Sequence, residues 1–124
     1  MNESKDNIIV KKSYSFALAV IKLYKFLAID KKEYILSKQI LRSGTSIGAN
    51  IHEATASESK KDFIHKLAIA VKEARETGYW LNLLKDSEYN SEEQFKNLNV
   101  HCDEIVRILN SIILTTKERY FKTT

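Results

Sequence analysis

Three histidines, one cysteine and sixteen Asp or Glu residues are the groups in this chain that could hold a metal or move a proton. A di-iron centre in a helical bundle needs carboxylates on all four helices and two Glu-x-x-His motifs. The nearest pattern here is a single Asp62-x-x-His65. His52-Glu53 has the start of a zinc-protease helix motif, but Ala56 stands where the second His belongs. His101 has no acidic residue three or four positions before it, and Cys102 cannot form an intrachain disulfide alone. Leu98, Ile105 and Leu109 flank Cys102 at helical spacing, which predicts a small buried apolar residue. No nucleophile elbow, phosphate-binding loop or dinucleotide glycine pattern occurs. The expectation is a non-enzyme without metal or cofactor.

The remaining chemistry is charge. The net charge is +4 and the pI is about 9.1. Residues 1–35 hold seven Lys against four acids and residues 59–86 hold six basic against four acidic, whereas 87–124 hold five against six. The excess therefore falls on two segments. Lys11, Lys12, Lys22 and Lys25 in the first, with Lys60, Lys61, Lys66, Lys72 and Arg75 in the second, are the candidate contacts to a nucleic-acid backbone. Lysines that neutralise phosphates bind without sequence preference and lose affinity steeply as salt rises. The competing reading is that these are solvated helix faces.

Helices must position these groups. The chain has no proline and three glycines, so it lacks the turn residues that a sheet requires. At 124 residues it forms one domain, read as an all-α, antiparallel up-down-up-down four-helix bundle with helices over about 10–29, 34–56, 60–85 and 91–121. In the first, Phe16, Val20, Leu23 and Leu27 form one stripe, and Ala17, Ile21, Tyr24 and Ala28 a second. Leu18 and Phe26 lie outside both. That is more apolar circumference than an outer helix of a monomer needs, so something else should cover it. Ser59 is placed to cap the third helix, with Asp62 three residues on, and Ser91 and Gln94 form a capping-box pattern for the fourth. Heptad seams run through Phe63, Leu67, Ala70, Ala74, Thr77, Leu81 and Leu84, and through Phe95, Leu98, Cys102, Ile105, Leu109 and Ile112.

The second helix contains LRSGTSIGANIHEA, residues 41–54, whose Gly44 and Gly48 each cost roughly 1 kcal/mol against Ala. Ile40, Gly44, Ile47, Ile51 and Ala54 still recur at helical spacing, so the small residues imply close backbone approach. Ala70 and Ala74 on the third helix are the expected partners. A hairpin about position 58 puts Arg42 within a turn of Glu73 and Glu76, and Asn50 and Glu53 near Lys66. One reading makes Arg42, Asn50, Glu53, Glu73 and Glu76 a polar set that fixes the register of the two helices. The other makes Arg42, Lys66, Lys72 and Arg75 a phosphate-binding surface. Trp80 is expected as a core or contact anchor rather than a base-stacking platform.

The segments LRSGTSIGANIHEA and DFIHKLAIAVKEARETGYWLNLL, in that order and spacing, resemble the 23S rRNA intervening-sequence protein family, which also carries a ribosomal-protein-like description. The likeness runs from about Ile8 to Tyr120. It implies an up-down-up-down bundle and a homopentameric ring, which would cover the surplus apolar surface of the first helix. The family is similar to the accessory variability protein of diversity-generating retroelements, a basic pentamer that binds a reverse transcriptase and nucleic acid. Five copies would carry about +20 together, a substantial field. The resemblance supplies no catalytic residues. This chain has Gly48 where many relatives have Pro. The resulting expectation is a cytoplasmic, non-enzymatic oligomeric scaffold that binds RNA or another nucleic acid non-specifically. The rival is an adaptor that presents a groove to a partner protein and binds no nucleic acid. No run approaches the roughly 18 apolar residues of a membrane span.

Overall fold

The computed structural model describes residues 4–89 and 92–121, and within them the chain is an all-α, antiparallel four-helix bundle. Helix α1 spans Lys5–Lys25, α2 Leu36–Ala54, α3 Lys60–Asp86 and α4 Glu92–Tyr120. Each helix packs on its neighbours in a square, α1 on α2, α2 on α3, α3 on α4 and α4 back on α1, so α1 and α3 stand on a diagonal.

The core is built from the predicted seams. Phe16, Val20, Leu23 and Leu27 of the first stripe, Ile40, Ile47, Ile51 and Ala54 of α2, Leu67, Ala70, Ala74, Leu81 and Leu84 of α3, and Phe95, Ile105, Leu109 and Ile112 of α4 are buried. The second stripe of α1, Ala17, Ile21, Tyr24 and Ala28, is half-buried. The 3.6-residue period places each seam along one side of its helix, and burying that side is the main drive to fold.

Several ends differ from the sequence reading. Helix α1 begins near residue 5 rather than 10, because Ser4 stands in extended backbone and its hydroxyl accepts from the Asn7 N–H at 3.3 Å. It closes in a wider π turn, Phe26–Asp30, that ends on Lys31. Helix α2 begins at Leu36 because Glu33 turns its carboxylate onto the exposed amides: Oε1 accepts from Ile35 at 3.0 Å and Leu36 at 2.8 Å, and Oε2 from Ser37 at 2.7 Å. Burial pushes this carboxyl up, yet the backbone donors outweigh it and hold the pKa below the usual 4.5. Ser59 caps α3, accepting from Asp62 N–H at 3.0 Å. The Ser91 cap lies outside the described residues. In place of glycine, Lys32 and Glu88 take the left-handed turn positions, with φ of 53° and 62°.

The small residues of α2 serve a different neighbour from the one expected. Gly44 lies against Val20 of α1, and the nearest atom to a β-carbon at Gly48 would be the Ser13 carbonyl oxygen of α1, at 3.4 Å. Ala70 and Ala74, expected to face the glycines, supply none of the three nearest atoms to a β-carbon at either one; the backbone carbonyl of Ala74 accepts from the thiol of Cys102 on α4 at 3.1 Å. One helix has two packed sides, and a seam written in one sequence does not say which partner each side meets.

Candidate nucleic-acid interface

The polar set between α2 and α3 is built by two adjacent amphipathic helices running in opposite directions. Arg42 of α2 reaches Glu73, at 3.5 Å, and pairs with Glu76. Glu53 accepts from Lys66 at 3.1 Å. The indole N–H of Trp80 donates to the same Glu76 carboxylate at 3.0 Å. That donor, followed by Arg42 and Lys72, holds the Glu76 carboxyl below its ordinary range despite some desolvation. Asn50 departs from the expected register set: its amide donates to the Ser46 carbonyl of its own helix at 2.8 Å, one turn back.

Sequence reasoning missed the buried polar pair beside this set. The hydroxyls of Ser43 and Thr77 lie 2.9 Å apart and both residues are fully buried. Thr77 Oγ1 also lies 2.8 Å from the Glu73 carbonyl, which can only accept. The single Thr77 hydrogen therefore goes to the carbonyl, and Ser43 supplies the hydrogen between the two hydroxyls. The available signal was Thr77 itself, a polar residue in an otherwise apolar heptad seam.

The nine basic candidates do not converge. Lys11 and Lys12 with Lys22 and Lys25 lie on α1, whereas Lys61, Lys72 and Arg75 are exposed on α3 across the diagonal. Lys12 pairs with Glu104, which lowers that carboxyl through the hydrogen bond first and the charge second. Lys66 is held by Glu53. Lys60 lies 4.8 Å from the ring centre of Tyr120 and 5.9 Å from that of Phe63. Lys61, Lys72 and Arg75 thus form an outward basic strip on α3, with Tyr79 standing 58% exposed on the same helix.

The surplus apolar surface of α1 is also located. Tyr14, Leu18 and Ile29 are 67%, 53% and 69% exposed. They lie on the side of the helix away from buried Phe16, Val20 and Leu27.

His52, His65 and His101 are all exposed, and among the described residues no group of three or more His, Cys, Asp or Glu is placed to hold a metal. Cys102 is buried, and desolvation, with Asp103 adding to it, pushes its thiol up to about 12. It is a packing residue whose nucleophilic thiolate is suppressed. Among the described residues no helix is long and apolar enough to cross a membrane.

Comparison with known proteins agrees with this architecture. A solved structure from Bacteroides thetaiotaomicron, described as a protein of unknown function from the S23 ribosomal protein family, is 54% identical. The match covers 90% of this chain and 99% of that one, with a TM-score of 0.88. No curated protein matches the chain. The model of the 23S rRNA-intervening sequence protein family matches residues 5–111, from the first residue of α1 to beyond the middle of α4, and the chain belongs to that family.

Proposed function

We propose that the protein is a non-enzymatic, cytoplasmic helical scaffold that assembles with copies of itself through the outer face of α1 and binds RNA, without sequence preference, through the outer face of α3. The observation that carries the reading is the apolar strip of Tyr14, Leu18 and Ile29, exposed on the side of α1 opposite its core contacts. A helix that is apolar on both sides is a helix with two partners. Lys25 stands on the same side between Leu18 and Ile29, and Lys11 and Lys22 border it, so assembly through this face leaves them less accessible to a long polyanion than the α3 strip. Lys61, Lys72 and Arg75 remain open, and repetition around a ring of five subunits joins short strips into a continuous positive field.

Light scattering combined with RNA titration tests both parts. The wild type is expected as an oligomer, pentameric by the family resemblance, and Leu18→Glu as a smaller species with its helical content retained. Fluorescence anisotropy with a labelled single-stranded RNA should show affinity falling steeply between low and physiological salt, and Lys72→Glu with Arg75→Glu should abolish binding without changing the mass. A monomeric wild type sinks the assembly reading. A flat salt dependence, or no binding at low salt, sinks the nucleic-acid reading.

A further inference from the structure

Positions 75, 78, 79 and 82 of α3 and positions 99, 102, 103 and 106 of α4 repeat one spacing, i, i+3, i+4 and i+7, which sets each group along one side of its helix. The two sides face each other around a cavity of about 560 Å³. Gly78 opens it. Nothing lies within 4 Å of a β-carbon at that position, whereas Ala74 and Leu81, one turn to either side, are fully buried. The volume is that of a small-molecule site, roughly 300–1,000 Å³.

The lining is polar. Arg75 and Asn82 stand on the α3 edge and Asn99 and Asp103 on the α4 edge, and none of these four side chains is held by a hydrogen bond or ion pair among the described residues. The floor is closed, with the Cys102 thiol turned onto the Ala74 carbonyl. Tyr79, 58% exposed, supplies an aromatic wall. Trp80 backs that ring in an edge contact, with centroids 5.1 Å apart and planes at 71°, and is itself tied to Glu76.

We propose that this notch takes one unpaired nucleobase of a bound RNA strand in each subunit, a reading that rests on the RNA binding proposed above for α3. Spacings of 11, 3, 4 and 3 put Lys61, Lys72, Arg75, Tyr79 and Asn82 on one exposed line of the helix. A strand whose phosphates follow these cations from Lys61 runs about 27 Å, at 1.5 Å per residue, and arrives at Tyr79. Stacking on the tyrosine accepts any base, because every base has a π face. The Asn82 and Asn99 amides each donate and accept, as the edge of a base does. The two charges set the direction: Arg75 meets phosphate on the α3 edge, while the Asp103 carboxylate repels phosphate from the α4 edge and accepts a base N–H. An acidic peptide is opposed by the same Asp103. A second copy seated by its apolar strip of Tyr14, Leu18 and Ile29 would cover four polar side chains without offering them a partner.

The test is fluorescence anisotropy with two labelled strands of about 12 nucleotides, one a single-stranded RNA and the other the same sugar-phosphate backbone without bases. The wild type should bind the RNA roughly tenfold more tightly than the abasic strand, equivalent to about 1.4 kcal/mol, with both affinities falling as salt rises. Gly78→Leu fills the notch with a good helix former and removes no side chain, so it should abolish the preference and leave the abasic affinity unchanged. Asn99→Ala, on a helix outside the basic strip, should reduce the preference in the same way. Circular dichroism and light scattering check that fold and mass are kept. If the wild type binds both strands equally, or the preference survives both substitutions, the notch proposal is overturned while RNA binding by α3 stands. If neither strand binds at low salt, the RNA reading fails and the notch falls with it. A changed mass for Gly78→Leu overturns the proposal by giving the notch to a second copy.

Discussion

Gly44 of α2 lies so close to Val20 of α1 that a β-carbon at position 44 would stand 2.8 Å from both of the valine's γ-carbons. Val20 is fully buried and has no room to retreat. Gly44→Ala should therefore destabilise the protein by about 1–3 kcal/mol, even though alanine is the better helix former by about 1 kcal/mol. Gly78 is the internal control, because nothing lies within 4 Å of a β-carbon there. Gly78→Ala should stabilise by up to about 1 kcal/mol. Urea unfolding of the two variants should move the midpoint in opposite directions; a shared direction would refute the close approach.

The buried hydroxyl pair makes a non-additive prediction. Ser43→Ala leaves Thr77 donating to the Glu73 carbonyl, and should cost about 0.5–1.5 kcal/mol. Thr77→Val strands the buried Ser43 hydroxyl and should cost about 1–3 kcal/mol. The double variant should cost less than the sum of the two, as a double-mutant cycle by chemical denaturation would show. Strict additivity would mean that the hydroxyls do not interact.

Glu33 gives a pH dependence with a definite sign. Its folded pKa lies below 4.5, so the folded state holds the charged form more strongly than the unfolded chain does. The stabilisation is present above about pH 4.5 and is lost as pH falls through the lowered folded value. Glu33→Gln, which cannot offer two charged oxygens to the amides of α2, should lower stability at neutral pH by about 1 kcal/mol. The gap between wild type and variant should close in acid, followed by thermal melting across pH. A gap that persists unchanged would remove the charge from the cap.

Arg42 was expected either to lock the α2–α3 register or to bind phosphate. Its side chain is 52% exposed, so the ion pairs with Glu73 and Glu76 should contribute less than about 1 kcal/mol. Arg42→Ala should fold and melt close to the wild type. Trp80, the one tryptophan, donates to Glu76, so its emission reports protonation of that carboxyl. Removing the arginine should move the emission midpoint to higher pH, because a positive charge no longer favours the carboxylate. No movement would break the Arg42 link to Glu76, and lost RNA binding with unchanged melting would favour the phosphate reading.

The sequence by itself determined the helices and their buried sides. The seams through Leu67, Ala70 and Ala74, or Cys102, Ile105 and Leu109, are set by a period that each helix must obey before it meets a neighbour. It also showed that α1 is apolar beyond the needs of one core, and the exposed Tyr14, Leu18 and Ile29 are where that surplus lies. Tertiary structure alone decided which sides meet. Gly44 and Gly48 read as partners of Ala70 and Ala74, yet they admit α1, because the two flanks of α2 are equivalent in one dimension and distinct only after the bundle closes. The same closure put the α1 and α3 lysines on opposite sides, and paired Lys12 of α1 with Glu104 of α4 from far along the chain. Charge and period are properties of the chain; juxtaposition depends on how distant segments share space.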